Sequence, residues 1–204
     1  MGTFKRWDIA CHGVPSPKVW KEYLHWQEKK NKSKIVKVDF RNKKDFGWRA
    51  HKETLIFQDE KNIDSAVFTT LFYGHSILRP CCYECQYKSI MHPGDLTIAD
   101  YWGIEKAAPE FDDNKGVSLV LVNNEVGDTM FNSVKDGIRW KETRLEDSMQ
   151  ASFKAPYPKP DNREAFWNSF LTKSFDNVAK EYAGVGFMNK VKRRIRKIKR
   201  KLIG

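Results

Sequence analysis

Apolar positions along the chain recur with two periods, one of about two residues and one of three to four, and the switches between them outline the elements. Residues 7–10 predict a short buried strand running into Cys11-His-Gly-Val-Pro-Ser-Pro. Ser16 followed by Pro17 is a helix start, a capping residue before a proline at the first helical position. Val19, Trp20, Tyr23 and Leu24 then recur at helical spacing, which predicts a helix to about Glu28 with those four side chains buried. Val36, Val38 and Phe40 alternate with polar residues as a strand does, and residues 54–57 are its expected hairpin partner. Residues 65–73 predict a helix with Phe68, Leu71 and Phe72 on one side. Residues 96–99 predict a strand that ends at Asp100-Tyr-Trp-Gly, and residues 117–122 another. Residues 128–135 read as helical and residues 138–140 as a short strand. Helices are expected around residues 166–171 and 175–182.

These elements do not alternate as strand, helix, strand, and no internal repeat is present. The expected class is α+β, a mixed sheet of short strands with packed helices and a basic amphipathic helix at the C-terminus. Ala155-Pro-Tyr-Pro-Lys-Pro predicts a stiff extended linker. Three segments follow: a main domain over 1–154, a helical extension over 155–184 and a tail over 185–204.

Composition changes this picture little in the body and much in the tail. Hydrophobic residues make up 40% of the 204 and aromatics 13%, enough for a packed core. No apolar run approaches the roughly 18 residues of a membrane span, and the first residues show no secretory leader, so the expected compartment is the cytoplasm. The formal net charge is +11, but residues 190–201 hold nine Lys or Arg and no acid, which leaves the rest at +2. The charge therefore belongs to the tail, and a nucleic-acid surface spread over the fold is disfavoured.

The candidate chemistry lies in four cysteines: Cys11, Cys81, Cys82 and Cys85. Cys82 and Cys85 have the spacing at which two thiolates in a turn converge on one metal or one cluster iron. Cys11 is a third candidate in a turn after a strand. Cys81 adjoins Cys82, and adjacent side chains point apart. Three other readings stay open: a redox dithiol at Cys82 and Cys85, a zinc knuckle completed by His75 or His92, and cysteines that pack as small hydrophobes. The dithiol reading lacks its usual context, a strand opening into a helix. No glycine-rich phosphate loop occurs. Arg41 and Lys43 could hold a phosphate, although a surface strand end accounts for them as well.

Several strings, in order, resemble one family. Asp8-Ile-Ala-Cys-His-Gly-Val-Pro-Ser-Pro-Lys-Val-Trp, Phe40-Arg-Asn-Lys, Gly47-Trp48, and Leu78-Arg-Pro-Cys-Cys-Tyr-Glu-Cys are four of them. Gly94-Asp-Leu-Thr-Ile-Ala-Asp-Tyr-Trp-Gly-Ile and Phe111-Asp-Asp-Asn-Lys-Gly-Val-Ser-Leu-Val-Leu-Val-Asn continue the match. Together they resemble the C-terminal domain of the coenzyme F420 hydrogenase/dehydrogenase beta-subunit family, whose members are iron–sulfur flavoproteins in electron transfer. The resemblance implies that Cys11, Cys82 and Cys85 are ligands of a 4Fe–4S cluster. It implies a fourth ligand from a Thr/Ser-Pro-Cys-Gln turn upstream, so the chain is expected to be the C-terminal portion of such a protein. It further implies FAD as a cofactor, with His12, Asp100 and Trp102 as candidate contacts, and a partner that is the ferredoxin- and flavin-binding N-terminal part or a separate redox protein. His12 has a simpler reading as a turn histidine with a backbone hydrogen bond. Trp102 reads equally as core, and Asp100 as a turn cap. Use of coenzyme F420 itself is not implied, since the family is broader than that activity. An exposed apolar surface is expected beside residues 7–10, where the N-terminal part would pack.

The function expected from all this is an electron-transfer domain of an oxidoreductase, an enzyme only when completed. The alternative is a non-catalytic accessory or remnant protein accompanying surface-polysaccharide biosynthesis at the membrane. The tail bears on the alternative. Met188, Val191, Ile195, Ile198 and Leu202 recur at steps of three, four, three and four, one narrow apolar stripe on a helix with basic residues filling the rest. Such a helix either docks its stripe on the body or lies on an anionic membrane surface, where each Lys or Arg contributes about 1 kcal/mol. Peripheral attachment to the inner face of a membrane predicts co-sedimentation with anionic vesicles. Binding should fall with added salt and vanish when residues after Gly186 are deleted; equal binding by the truncated chain rules the tail out as the anchor.

Overall fold

The computed structural model describes residues 4–186, so the expected tail helix lies outside the described residues. In chain order the elements are β1 (Trp7–Ile9), α1 (Pro17–Asn31), β2 (Ile35–Asp39), α2 (Lys43–Phe46), β3 (Glu53–Phe57), β4 (Asn62–Ser65), α3 (Val67–Tyr73), β5 (Leu96–Asp100), α4 (Ile104–Ala107), β6 (Ser118–Val122), α5 (Glu125–Asn132), α6 (Leu145–Ser148), α7 (Arg163–Thr172) and α8 (Phe175–Tyr182). Short mixed sheets with several helices make this an α+β protein, as the order of periodic segments implies.

The chain forms two compact units that interleave along the sequence. One is built from Met1–Gly13, Gly47–Arg49 and Pro80–Tyr157, the other from Val14–Phe46, Ala50–Arg79 and Pro158–Gly204.

In the first unit β5 is the central strand of the order β1-β5-β6. β1 runs parallel to it, with Trp7 opposite Leu96 and Ile9 opposite Ile98, and β6 runs antiparallel. Strand side chains alternate between faces, and the two faces here differ sharply. Ala99 and Leu119 face a core completed by Tyr101, Ile104 and Phe153. The other face carries Trp7, Ile9, Leu96, Ile98, Val120 and Val122, of which Leu96 is buried beside Gly127 of α5. Trp7 is 72% exposed and Ile9 73%. The expectation of a buried first strand is corrected here: β1 is an edge strand whose apolar side chains Trp7 and Ile9 are exposed. The expected apolar surface beside residues 7–10 is present.

Two carboxylates pin this sheet. Asp95 accepts hydrogen bonds from the Arg6 backbone N–H at 2.7 Å and from Asn124 Nδ2 at 2.9 Å. The Arg6 N–H first, and then Asn124, hold its carboxyl below the usual carboxylate range. Asn124 in turn caps α5 by accepting from the Gly127 N–H at 2.9 Å. Asp8, on β1, accepts from the Gly94 N–H at 3.0 Å and pairs with His92 Nδ1 at 3.1 Å.

In the second unit β2, β3 and β4 form an antiparallel sheet with β3 central. α1 starts at the expected proline and buries Val19, Tyr23 and Gln27, while Trp20 and Leu24 are only partly covered. Glu53 on β3 is fully buried. It accepts from Tyr23 Oη at 3.0 Å, the Phe68 N–H at 3.1 Å and Thr69 Oγ1 at 2.7 Å. Burial, and then the Glu53 charge, push the Tyr23 phenol well above its ordinary value. The expected strand over residues 138–140 does not form; that segment is irregular.

α5 approaches β5 so closely that a Cβ at Gly127 would lie 2.1 Å from the Asp95 carbonyl oxygen. Backbone cannot yield there as a flexible side chain can. Gly127→Ala should therefore lower stability by about 1–3 kcal/mol, the usual range for overpacking. Gly137, with nothing within 4 Å of its would-be Cβ, is the control: Gly137→Ala should change stability by less than about 0.5 kcal/mol. Denaturant midpoints of the two variants check this.

Candidate functional site

Cys11 lies just beyond β1. Cys81, Cys82 and Cys85 belong to the 3-10 turn Pro80–Glu84 and the residue after it. All four lie in the first unit. Cys82 is buried, Cys85 half-buried, and Cys11 and Cys81 are exposed. The backbone of β1 continues the parallel ladder one residue further, with the Ala10 N–H donating to the Ile98 carbonyl at 2.9 Å. This fixes the point from which the Cys11 turn departs.

The residue that joins the two turns is Lys88, only 5% exposed. Its backbone N–H donates to the Cys85 carbonyl at 3.2 Å. Its Nζ donates to the His12 carbonyl at 2.9 Å and lies 4.4 Å from the centre of the Tyr157 ring. The His12 ring packs on the same Tyr157 at 4.4 Å between centroids. Burial pulls the Lys88 ammonium below the ordinary lysine range, and negative charge on Cys11, Cys85 and Cys82 pushes it back up. Two turns from remote stretches of sequence, those of Cys11 and Cys85, thus meet at one buried cation.

Among the described residues no three His, Cys, Asp or Glu side chains stand close enough to hold a single metal ion. A tetrahedral ion at about 2.3 Å from each sulfur needs sulfurs about 3.8 Å apart. A four-iron cluster places its thiolates on different irons and so further apart. The donors in these two turns are soft sulfur, the type that iron–sulfur clusters take. Of the histidines considered for a zinc knuckle, His92 has its imidazole turned to Asp8, and His75 belongs to the second unit.

The remaining motif residues assemble a different feature. Trp48, buried, stacks on Trp102 at 4.1 Å and 20°. Its backbone N–H donates to the Asn114 carbonyl at 2.7 Å. Gly116, at φ +98°, packs on the Trp48 ring so tightly that a Cβ would fall 2.4 Å from it. Arg49 pairs with Asp112 beside this clamp. Trp102 is 38% exposed, with Trp48 against it, and Asp100 is exposed at the end of β5. A separate groove of about 1020 Å³ runs along β6, with Phe111, Phe131 and Trp140 in its walls; neither the cysteines nor Lys88 nor Trp102 line it.

Sequence reasoning does not reach Lys88 or Tyr157. Lys88 stands three residues after Cys85, where a lysine reads as a solvated cation. Tyr157 sits between prolines in a stretch that reads as linker. The family model for the C terminus of the coenzyme F420 hydrogenase/dehydrogenase beta subunit matches residues 6–148. No curated protein matches the chain, and no solved structure does.

Proposed function

The chain belongs to the coenzyme F420 hydrogenase/dehydrogenase beta-subunit family through its C-terminal domain, and from that premise we propose that it is the electron-transfer domain of a larger oxidoreductase. Cys11, Cys82 and Cys85 would hold a 4Fe–4S cluster, with the fourth ligand supplied by a partner segment. The observation that supports this is the buried Lys88, which bonds the Cys85 carbonyl through its backbone N–H and the carbonyl of the residue after Cys11 through Nζ, so that the two cysteine-bearing turns meet at one residue. When bound, the cluster supplies one-electron redox capacity; the chain's own part is to place three thiolates and shield them. FAD enters the proposal through Trp102 and Asp100. His12 contributes its carbonyl to Lys88 and its ring to Tyr157, so its part is to shape the cysteine turn.

The uncovered face of Trp7 and Ile9 is the surface proposed for the ferredoxin- and flavin-binding part of such an enzyme. Among the described residues no helix is long and apolar enough to cross a membrane, and peripheral attachment rests on the tail alone.

Anaerobic reconstitution of the full chain with iron, sulfide and a small thiol to fill the fourth position tests the site. We expect a brown protein with about four irons per chain. Cys11→Ser, Cys82→Ser and Cys85→Ser should each lose most of the iron, and Cys81→Ser none. Retention of added FAD by the wild type and its loss in Trp102→Ala checks the flavin assignment. A folded, colourless chain that takes up neither iron nor sulfide would overturn the redox reading and favour the accessory protein.

The docking surface is tested separately. Co-expression with a ferredoxin- and flavin-binding segment of this family should raise soluble yield. Trp7→Asp combined with Ile9→Asp should abolish the gain; an unchanged yield in either experiment refutes the surface.

A further inference from the structure

We propose that the open edge of β6 is a docking site for an extended peptide segment of a partner protein, apolar at alternate positions and basic between them, which adds to the first unit's sheet as a fourth strand. The proposal is independent of the cluster site, since neither the cysteines nor Lys88 line this groove.

Backbone chemistry carries it first. In an antiparallel pair, residues alternate between turning both polar backbone groups to the partner strand and turning both away. The Val117 carbonyl accepts from the Tyr101 N–H at 2.8 Å, and the Asn123 N–H donates to the Asp95 carbonyl at 3.0 Å. Positions 117, 119, 121 and 123 therefore face the β5 side, and Ser118, Val120 and Val122 turn their N–H and C=O groups outward. Among the described residues no strand takes these up, because β6 is the last strand of its sheet. Alternating donors and acceptors along an edge are what the backbone of one more strand complements.

Room comes second. The groove of about 1020 Å³ runs the length of β6. The irregular segment 138–143 lines it without pairing with the strand, and four contacts hold that segment where it is. Arg139 donates to the Glu110 carbonyl at 2.9 Å, and Lys141 to the Glu110 carboxylate. Trp140 meets Phe131 of α5 edge to face at 5.4 Å, and Tyr101 Oη donates to Thr143 Oγ1 at 2.8 Å. A stretch with the composition to pair is thus anchored elsewhere, and the edge stays open.

Side chains and charge select the occupant. Alternate side chains of a docked strand point to opposite faces. One set meets the apolar lining, Leu119, Phe111 and Phe131 among it, and the other stays in water. Residues 104–148, which supply most of the groove's lining, hold ten Asp or Glu against six Lys or Arg. At the groove itself Asp113, Asp128 and Glu142 stand against Arg139 and Lys141, and both cations are already bonded to Glu110. A basic strand fits that balance. A second copy that paired its β6 here would bring the same excess of acid, and its own segment 138–143, to the same edge.

The test titrates the full chain into a fluorescent, end-blocked peptide of about nine residues, alternating valine and lysine, and follows anisotropy. Hydrogen exchange with and without peptide reads the edge. Binding should weaken with added salt. The amides of Ser118, Val120 and Val122 should exchange about tenfold more slowly or less with peptide bound, and those of Leu119 and Leu121 should not change. Val120→Pro removes an outward N–H and no ladder bond, so it should keep the thermal midpoint of the wild type and bind about tenfold more weakly. The same peptide N-methylated throughout keeps its side chains, loses every N–H and should not bind. Equal binding by the methylated peptide, or binding that leaves Ser118, Val120 and Val122 exchanging as before, overturns the strand pairing. Failure of the unmodified peptide to bind overturns the docking site, and so does displacement of bound peptide by FAD, which would assign the groove to the flavin. If Val120→Pro does not fold, the methylated peptide and the exchange pattern decide.

Discussion

A buried ammonium has to be answered by something, and at Lys88 that requirement organises the first unit. Taking an ion out of water costs several kcal/mol even after the surroundings relax. A carbonyl 2.9 Å from Nζ and one aromatic face offset part of this. The turns that carry Cys11 and Cys85 are both bonded to this residue. Each part arrives by a separate route: Cys11 at the end of β1, Cys82 and Cys85 in the turn Pro80–Glu84, and Tyr157 far downstream. The parallel pairing of β1 with β5 is what makes the meeting reproducible. Its register is held on one side by the Asp95 clasp on Arg6 and on the other by the Asp8 bond to Gly94. A one-residue slip would turn Trp7 and Ile9 inward and carry Cys11 off its place.

The second unit solves a similar problem with the opposite sign. Glu53 is a buried carboxylate on a central strand, and three donors from α1 and α3 converge on it. Here every partner is neutral and lies within hydrogen-bond distance, so the network is complete within the unit and needs no ligand. Tyr23 shows the cost of the arrangement, since its phenol resists ionisation next to a charge it already serves. The contrast is informative. A closed network such as that of Glu53 is structural, whereas Lys88 binds together two turns that carry the candidate cysteines.

What can be read from sequence follows from where the physical signal is local. α1 is legible because a serine, a proline and four apolar residues at helical spacing coincide. β2, β3, β5 and β6 are legible from alternation or from short apolar runs. β4 is not, because Asn62-Ile-Asp-Ser is mostly polar; it forms because Thr54 Oγ1 can donate to Asp64 Oδ1 across the sheet at 2.7 Å and the β3 edge is there to pair with. Residues 138–140 have the composition of a strand but pair with no strand of either sheet, although β6 is an edge, and pairing, unlike composition, is not local. The same distinction holds at the candidate site. The three cysteines announce themselves by residue type. Lys88 and Tyr157 do not, because only the fold can turn a lysine away from water or seat it on a tyrosine between two prolines. Several of the strings that reveal the family, Gly47-Trp48 and Asn114-Lys-Gly116 among them, build the clamp around Trp48. A match to such strings therefore speaks for the fold more directly than for the chemistry.

The uncovered sheet face and the cysteine turn share one strand, and that sharing links assembly to chemistry. Ile9 and Cys11 are two residues apart, so along extended backbone they are separated by about 7 Å. A partner that covers Ile9 would reach the neighbourhood of Cys11 without any further rearrangement of this chain. Three thiolates leave a four-iron cluster with one iron in need of a ligand, and the nearest uncovered apolar surface is the one that such a ligand's own segment would have to bury. The two needs would point to the same edge: the exposed Trp7 and Ile9 want a cover, and the proposed cluster would want a fourth donor. A segment that satisfied one while standing elsewhere would leave the other open.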